Sequence, residues 1–125
     1  MDLPNVPISV GELFDKYSIL EIKKEKIVNP EKRKKVVTEI NYLNNIINKF
    51  KLNPELYNKL KFINTELWDI EDNIRIKEKN KEFDSEFINL ARSVYITNDK
   101  RAKIKQEINH LFNSNIEEVK DYVKY

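Results

Sequence analysis

Apolar side chains return at alternating steps of three and four residues through most of this chain, the spacing that gathers them on one face of an α-helix. Val36, Ile40, Leu43, Ile47 and Phe50 form one such series, and Leu56, Leu60, Ile63, Leu67, Ile70 and Ile74 form another. Each follows an Asn-Pro-Glu triplet, Asn29-Pro30-Glu31 and Asn53-Pro54-Glu55: an N-cap, a proline at the first helical position and an acid in the first turn. The pattern predicts a second helix over about 30–51 and a third over about 54–79, folded back on each other as an antiparallel hairpin. Ahead of them, Ser9-Val10-Gly11-Glu12 reads as a capping box opening a first helix that runs to about Val28. Its main stripe is Val10, Leu13, Phe14, Tyr17 and Leu20, with Glu21 inside the stripe. Ile19 and Ile22 lie towards the other side, near Asp15. A helix apolar on two sides is central in its bundle or covered by another subunit, and Glu21 on a core stripe calls for a partner, expected to be a lysine.

Asp84 caps a fourth helix carrying Phe87, Leu90, Ala91 and Val94. The series Ile104, Ile108, Leu111 and Phe112 is out of phase with it, which predicts a fifth helix after a break near Thr97-Asn98-Asp99. Pro4 and Pro7 mark an extended arm over residues 1–8, and residues 114–125 form a polar tail. No strand pattern occurs. The expected fold class is all-α: one domain over 1–125, a small helical bundle built on the helix 2–helix 3 hairpin, with about five helices.

Composition narrows the function classes. The 125 residues include 23 basic and 21 acidic side chains, so the net charge of +2 gives little of the cationic excess that nucleic-acid binding uses. There is no cysteine, hence no disulfide framework and no thiolate metal site. The first residues lack a signal-peptide pattern, and no apolar run is long enough for a bilayer. A cytoplasmic protein without a membrane or nucleic-acid partner, and without a cofactor, is expected. Lys, Asn and Ile abound, as in an AT-rich coding sequence. Against that background Gly11, Trp68, Ala91, Ala102 and the arginines Arg33, Arg75, Arg92 and Arg101 stand out.

Two clusters carry candidate chemistry. In the third helix, Glu66, Trp68, Asp69, Glu71, Asp72 and Arg75 occupy less than three turns. Glu66 and Asp69 lie three apart, as do Glu12 and Asp15, a spacing with which helical carboxylates hold a divalent cation in all-α nucleotide hydrolases. A solvated face with a Glu71–Arg75 pair is the simpler alternative. In the second cluster Arg92, Tyr95, Asn98, Asp99, Arg101 and Lys105 surround the expected start of the fifth helix, whose free amides and guanidinium groups would suit a phosphate or carboxylate. Alternatively Arg92 and Arg101 clamp Glu71 and Asp72 from within. Trp68, beside the seam, should be largely covered. His110 is the only histidine and has no catalytic partner in sequence.

At these residues the chain resembles a family of short bacterial and phage proteins catalogued as a domain of unknown function. The resemblance runs from Ile8 to about Tyr122. It rests on Ser9-Val10-Gly11-Glu12-Leu13, Ile19-Leu20-Glu21-Ile22-Lys23, Leu67-Trp68, Ile70-Glu71-Asp72, Leu90-Ala91-Arg92, Val94-Tyr95, Arg101-Ala102 and Ile108-Asn109. It implies a stand-alone helical domain and brings no established activity. Phe14, the lysine-rich middle and Asn113, where a helix-ending glycine is expected, depart from the pattern. The leading expectation is a non-enzymatic, homo-oligomeric module with a pocket for a small anionic ligand, lined by Trp68, Glu71, Asp72, Arg75, Arg92, Tyr95, Asn98, Asp99, Arg101 and Lys105. The alternatives are a metal-dependent phosphoester hydrolase using Glu12, Asp15, Glu66 and Asp69, and a purely structural adaptor.

Overall fold

Local sequence signals set every helix start. In a computed structural model describing residues 2–125, α1 spans Val10–Lys26, α2 Pro30–Ile47, α3 Pro54–Lys79 and α4 Ser85–Leu111. The side chains of Ser9, Asn29, Asn53 and Asp84 each accept a hydrogen bond from a backbone amide of the first turn. At α1 only half of the expected capping box forms. Ser9 accepts from the Glu12 amide at 3.1 Å, but the Glu12 carboxylate turns instead to Lys105.

Two expectations are corrected here. The described residues form four helices, because α4 runs unbroken through Thr97-Asn98-Asp99. Its inward stripe continues through buried Thr97, half-buried Arg101 and buried Lys105, polar residues that bridge Val94 to Ile108 at helical spacing. An apolar count sees that stretch as a gap. Nor do α2 and α3 lie side by side: α2 lies along α1, while α1 also packs on α3 and α4, which pack together.

The two-sided α1 is therefore central. Phe14 joins Leu56, Leu60 and Ile108 in one core, with Ile47, Phe50 and Phe112 packed on it. Leu20 joins Val36 and Ile40 of α2 in the other. Of the α2 and α3 seams, Val36, Ile40, Leu56 and Leu60 are buried in the core; the remaining seam residues are half-buried. Glu21 finds a hydroxyl rather than a lysine, accepting from Tyr57 Oη of α3. None of the described helices is long and apolar enough to cross a membrane.

Helices α3 and α4 end alike. Lys81 takes φ 55° and Asn113 φ 49°, both left-handed. The Glu82 amide donates to the Lys77 carbonyl at 2.9 Å, and the Ser114 amide to that of Asn109 at 2.9 Å. These are Schellman ends, in which glycine normally avoids a Cβ penalty of about 1–2 kcal/mol. Replacing Lys81 with glycine should raise the melting temperature by about 2–4 °C, roughly 0.5–1 kcal/mol after the extra freedom of glycine in the unfolded chain is counted. The Glu78–Lys81 pair that is lost is exposed and contributes little. An unchanged or lower melt would contradict the cap assignment.

Candidate functional site

A layer of polar side chains crosses the bundle where α1, α3 and α4 meet. Asp15 of α1 is 1% exposed, and Ser18, Asn64, Thr97, Lys105 and Asn109 are also buried. The Asp15 carboxylate accepts from Arg101 at both oxygens, from Nε at 2.9 Å and from Nη2, a forked geometry that lysine cannot supply. Asn64 of α3 donates to Asp15 Oδ1 at 2.9 Å and to Ser18 Oγ at 2.8 Å. Ser18 in turn donates to the Asp15 carbonyl at 2.8 Å. No buried side-chain nitrogen or oxygen among the described residues lacks a partner.

One turn along α4, Lys105 Nζ donates to Glu12 at 2.8 Å and to Glu118 of the tail at 2.7 Å, and lies 3.7 Å from Asp15. Burial alone pushes the Asp15 carboxyl up. The hydrogen bonds from Arg101 and Asn64 and the charges of Arg101 and Lys105 outweigh it, holding the group below its ordinary range. Burial likewise disfavours the Lys105 ammonium, but Glu118 and Glu12 raise its pKa overall. Glu118 is held low, chiefly by its hydrogen bond from Lys105.

Close approach of α1 to α4 makes this layer. Gly11 donates its amide to Asn109 Oδ1 at 2.6 Å. A Cβ at Gly11 would stand 2.4 Å from the Lys105 carbonyl oxygen. Glycine is needed here for its missing side chain.

Arg101 stands between two cavities. One, of about 330 Å³, is lined by Ile19, Ile22, Asn64, Leu67, Trp68, Glu71, Asp72, Arg75 and Arg101. The other, of about 190 Å³ and strongly polar, is lined by Glu12, Asn98, Arg101, Ala102, Lys105, Glu118 and Lys120.

The sequence-predicted residues thus divide. Trp68, Glu71, Asp72, Arg75 and Arg101 share the first cavity; Asn98, Arg101 and Lys105 share the second. Trp68 is half-buried on a cavity wall, less covered than expected. Tyr95 and Asp99 line neither: Tyr125 packs edge-on to Tyr95 and donates its hydroxyl to Asp99 at 2.5 Å. Arg92 is exposed and forms no ion pair among the described residues, and Arg101 clamps Asp15 rather than Glu71 or Asp72. With α4 continuous, no free helix-start amides occur at Asn98. Of the metal-site carboxylates, Glu12 and Asp15 are engaged by Lys105 and Arg101, and Asp69 lies 3.8 Å from Lys26. Among the described residues no three His, Cys, Asp or Glu side chains gather as a metal site.

Ser18, Asn64, Glu118 and Lys120 were not singled out by sequence, and Asn109 entered only through the family resemblance. Asn64, four residues after Leu60 and three before Leu67, sits at a seam position, and that was the available signal.

Residues 4–124 match the model of a family of unknown function, DUF6165, and the chain belongs to that family. No curated protein and no solved structure matches the chain.

Proposed function

We propose that this member of DUF6165 is a non-enzymatic binding module whose Arg101–Lys105 pocket takes a small oxyanion, a phosphate monoester or a carboxylate, in competition with its own Glu118. One observation carries the reading: a carboxylate of the chain already lies on Lys105, at 2.7 Å, and it comes from a tail without regular secondary structure. Charge supports it. Arg101, Lys105 and Lys120 face Glu12, Asp15 and Glu118, three cations against three carboxylates. Turning the Glu118 side chain off Lys105 while Lys120 stays in place leaves one cation in excess, which an oxyanion neutralises. Asp15 fixes the Arg101 fork in advance, so little order is lost on binding. A buried ion pair is a poor source of net stability, and its presence beside an open cavity favours a binding role. The hydrolase alternative would need a cation to displace two such pairs, at Glu12 and Asp15.

Calorimetric titration with inorganic phosphate and with AMP tests this. Glu118→Gln should bind about tenfold more tightly than wild type, because a competing charged hydrogen bond of about 1.4 kcal/mol or more is removed. Lys105→Met should abolish binding in either background. Trp68 shares a cavity wall with Arg101, so its fluorescence gives a second readout. Equal affinities in all four proteins, or no binding by wild type and Glu118→Gln at millimolar anion, would overturn the reading.

A further inference from the structure

A groove lies on the face of α4 opposite the tail. Phe62 and Ile63 of α3 and Ile104 of α4 form its floor, Lys59, Lys100 and Lys103 edge it beside Glu55 and Asn58, and it encloses about 790 Å³. Phe62 is 64% exposed. An aromatic ring open to water beside two isoleucines marks a surface built to be covered, and its basic rim calls for an acidic partner. The tail has the matching character. Val119, Tyr122 and Val123 are 86%, 76% and 92% exposed, and the exposed acids Glu117 and Asp121 flank them.

The tail cannot fill the groove of its own chain while its inner contacts hold. Glu118 is fastened to Lys105, and Tyr125 to Asp99 and Tyr95, all away from the groove side of α4. Its apolar strip points outward. We propose that residues 117–123 of one copy seat in the α3–α4 groove of a second copy, Val119 and Val123 against Phe62 and Ile104, Glu117 and Asp121 among the lysines. Groove and strip occupy opposite faces of one chain, so the contact is heterologous: each copy offers its strip to one neighbour and its groove to another. Such an array grows with concentration instead of stopping at a fixed dimer. The contact leaves the Glu118–Lys105 bond in place, so it does not rest on the anion-pocket reading.

Sedimentation of the full chain should show a mass rising above 15.0 kDa with concentration, half-developed on the order of 10–100 µM, as small contacts give. Phe62→Glu, at an exposed position that leaves the core untouched, should hold the protein as a monomer throughout. The chain has no cysteine, so crosslinking is unambiguous. Lys103→Cys and Asp121→Cys proteins, mixed under oxidising conditions, should form a two-chain disulfide adduct that neither forms alone. A monomer at every concentration would overturn the proposal and leave the groove to a different acidic, apolar partner. Association unaffected by Phe62→Glu, or a mixture without the adduct, would overturn it equally.

Discussion

Replacing Asp15 with asparagine should cost the fold about 3–5 kcal/mol, as removing one partner of a buried ion pair does. That is a large part of the 5–15 kcal/mol typical of a whole domain. The loss arises less from the missing attraction than from what remains. Arg101 and Lys105 would be held together in the interior without the carboxylate that neutralises the first and lies 3.7 Å from the second. Thermal melts at neutral pH should show a drop of roughly 10–20 °C; a shift within 2 °C would refute the assignment. Acid provides an internal control. The folded-state pKa of Asp15 is depressed below the ordinary 3.8, so the unfolded chain takes up the proton first as pH falls. The Asp15 contribution is full above about pH 5 and is lost as pH drops through the folded value. The advantage of wild type over Asp15→Asn should therefore shrink as pH falls below about 4 and vanish only once pH has passed the depressed folded value. Arginine substitutions sharpen the comparison. Arg101→Lys keeps the charge but loses the fork and should cost about 1–3 kcal/mol. Arg92→Lys, at an exposed position with no ion pair, should stay within about 0.5 kcal/mol of wild type.

Gly11→Ala should destabilise the protein by about 2–4 kcal/mol, against what helix propensity alone suggests. In an exposed helix interior the same change is worth up to about 1 kcal/mol of added stability. Here the new methyl would stand 2.4 Å from the Lys105 carbonyl oxygen and 2.8 Å from Asn109 Oδ1. The first contact is with backbone, so no side-chain rotation relieves it and α1 must draw away from α4. That movement stretches the 2.6 Å bond from Gly11 to Asn109 and loosens the packing of Phe14 on Ile108. Denaturant unfolding gives the sign directly. A midpoint equal to or above that of wild type would show that the two helices approach less closely than described.

The sequence was readable wherever a local signal decides the structure. Asn53-Pro54 opens α3 and Asp84 opens α4 at the expected residues, because caps act over three or four positions. The apolar seams named part of the core, Val36, Ile40, Leu56 and Leu60, but not the partners. Val36 and Ile40 are core in either arrangement, and whether α2 meets α3 or α1 depends on contacts tens of residues away. Ile19 and Ile22 were the clue that α1 takes the centre. The break expected at Thr97 failed for a physical reason. A helix stripe is defined by what is covered, and in α4 it passes through buried Thr97, half-buried Arg101 and buried Lys105, the last two made tolerable by ion pairs with Asp15 and Glu118. The same blindness hid Asp15. A carboxylate three residues from Glu12 suggests a metal pair by spacing, and only the third dimension brings it to Arg101. Arg101 itself stood out, as an arginine kept in a lysine-rich chain, though its partner did not.

The polar layer also bears on how this chain is made. Asp15 emerges 86 residues before the arginine that completes it, and Gly11 emerges 98 residues before Asn109. At roughly 5–20 residues per second, a ribosome leaves the nascent α1 without its cation for about 4–17 s. Meanwhile α2 can cover the Leu20 side of α1 through contacts close in sequence. The Asp15 side stays in water, where an ionised carboxylate costs nothing, and resists collapse onto any apolar segment that would strip its hydration. A core built only of leucine and isoleucine would tolerate early, wrong partners. Here the Asp15–Arg101 pair cannot form before α4 is made, so the last helix synthesised is the one that completes the polar layer.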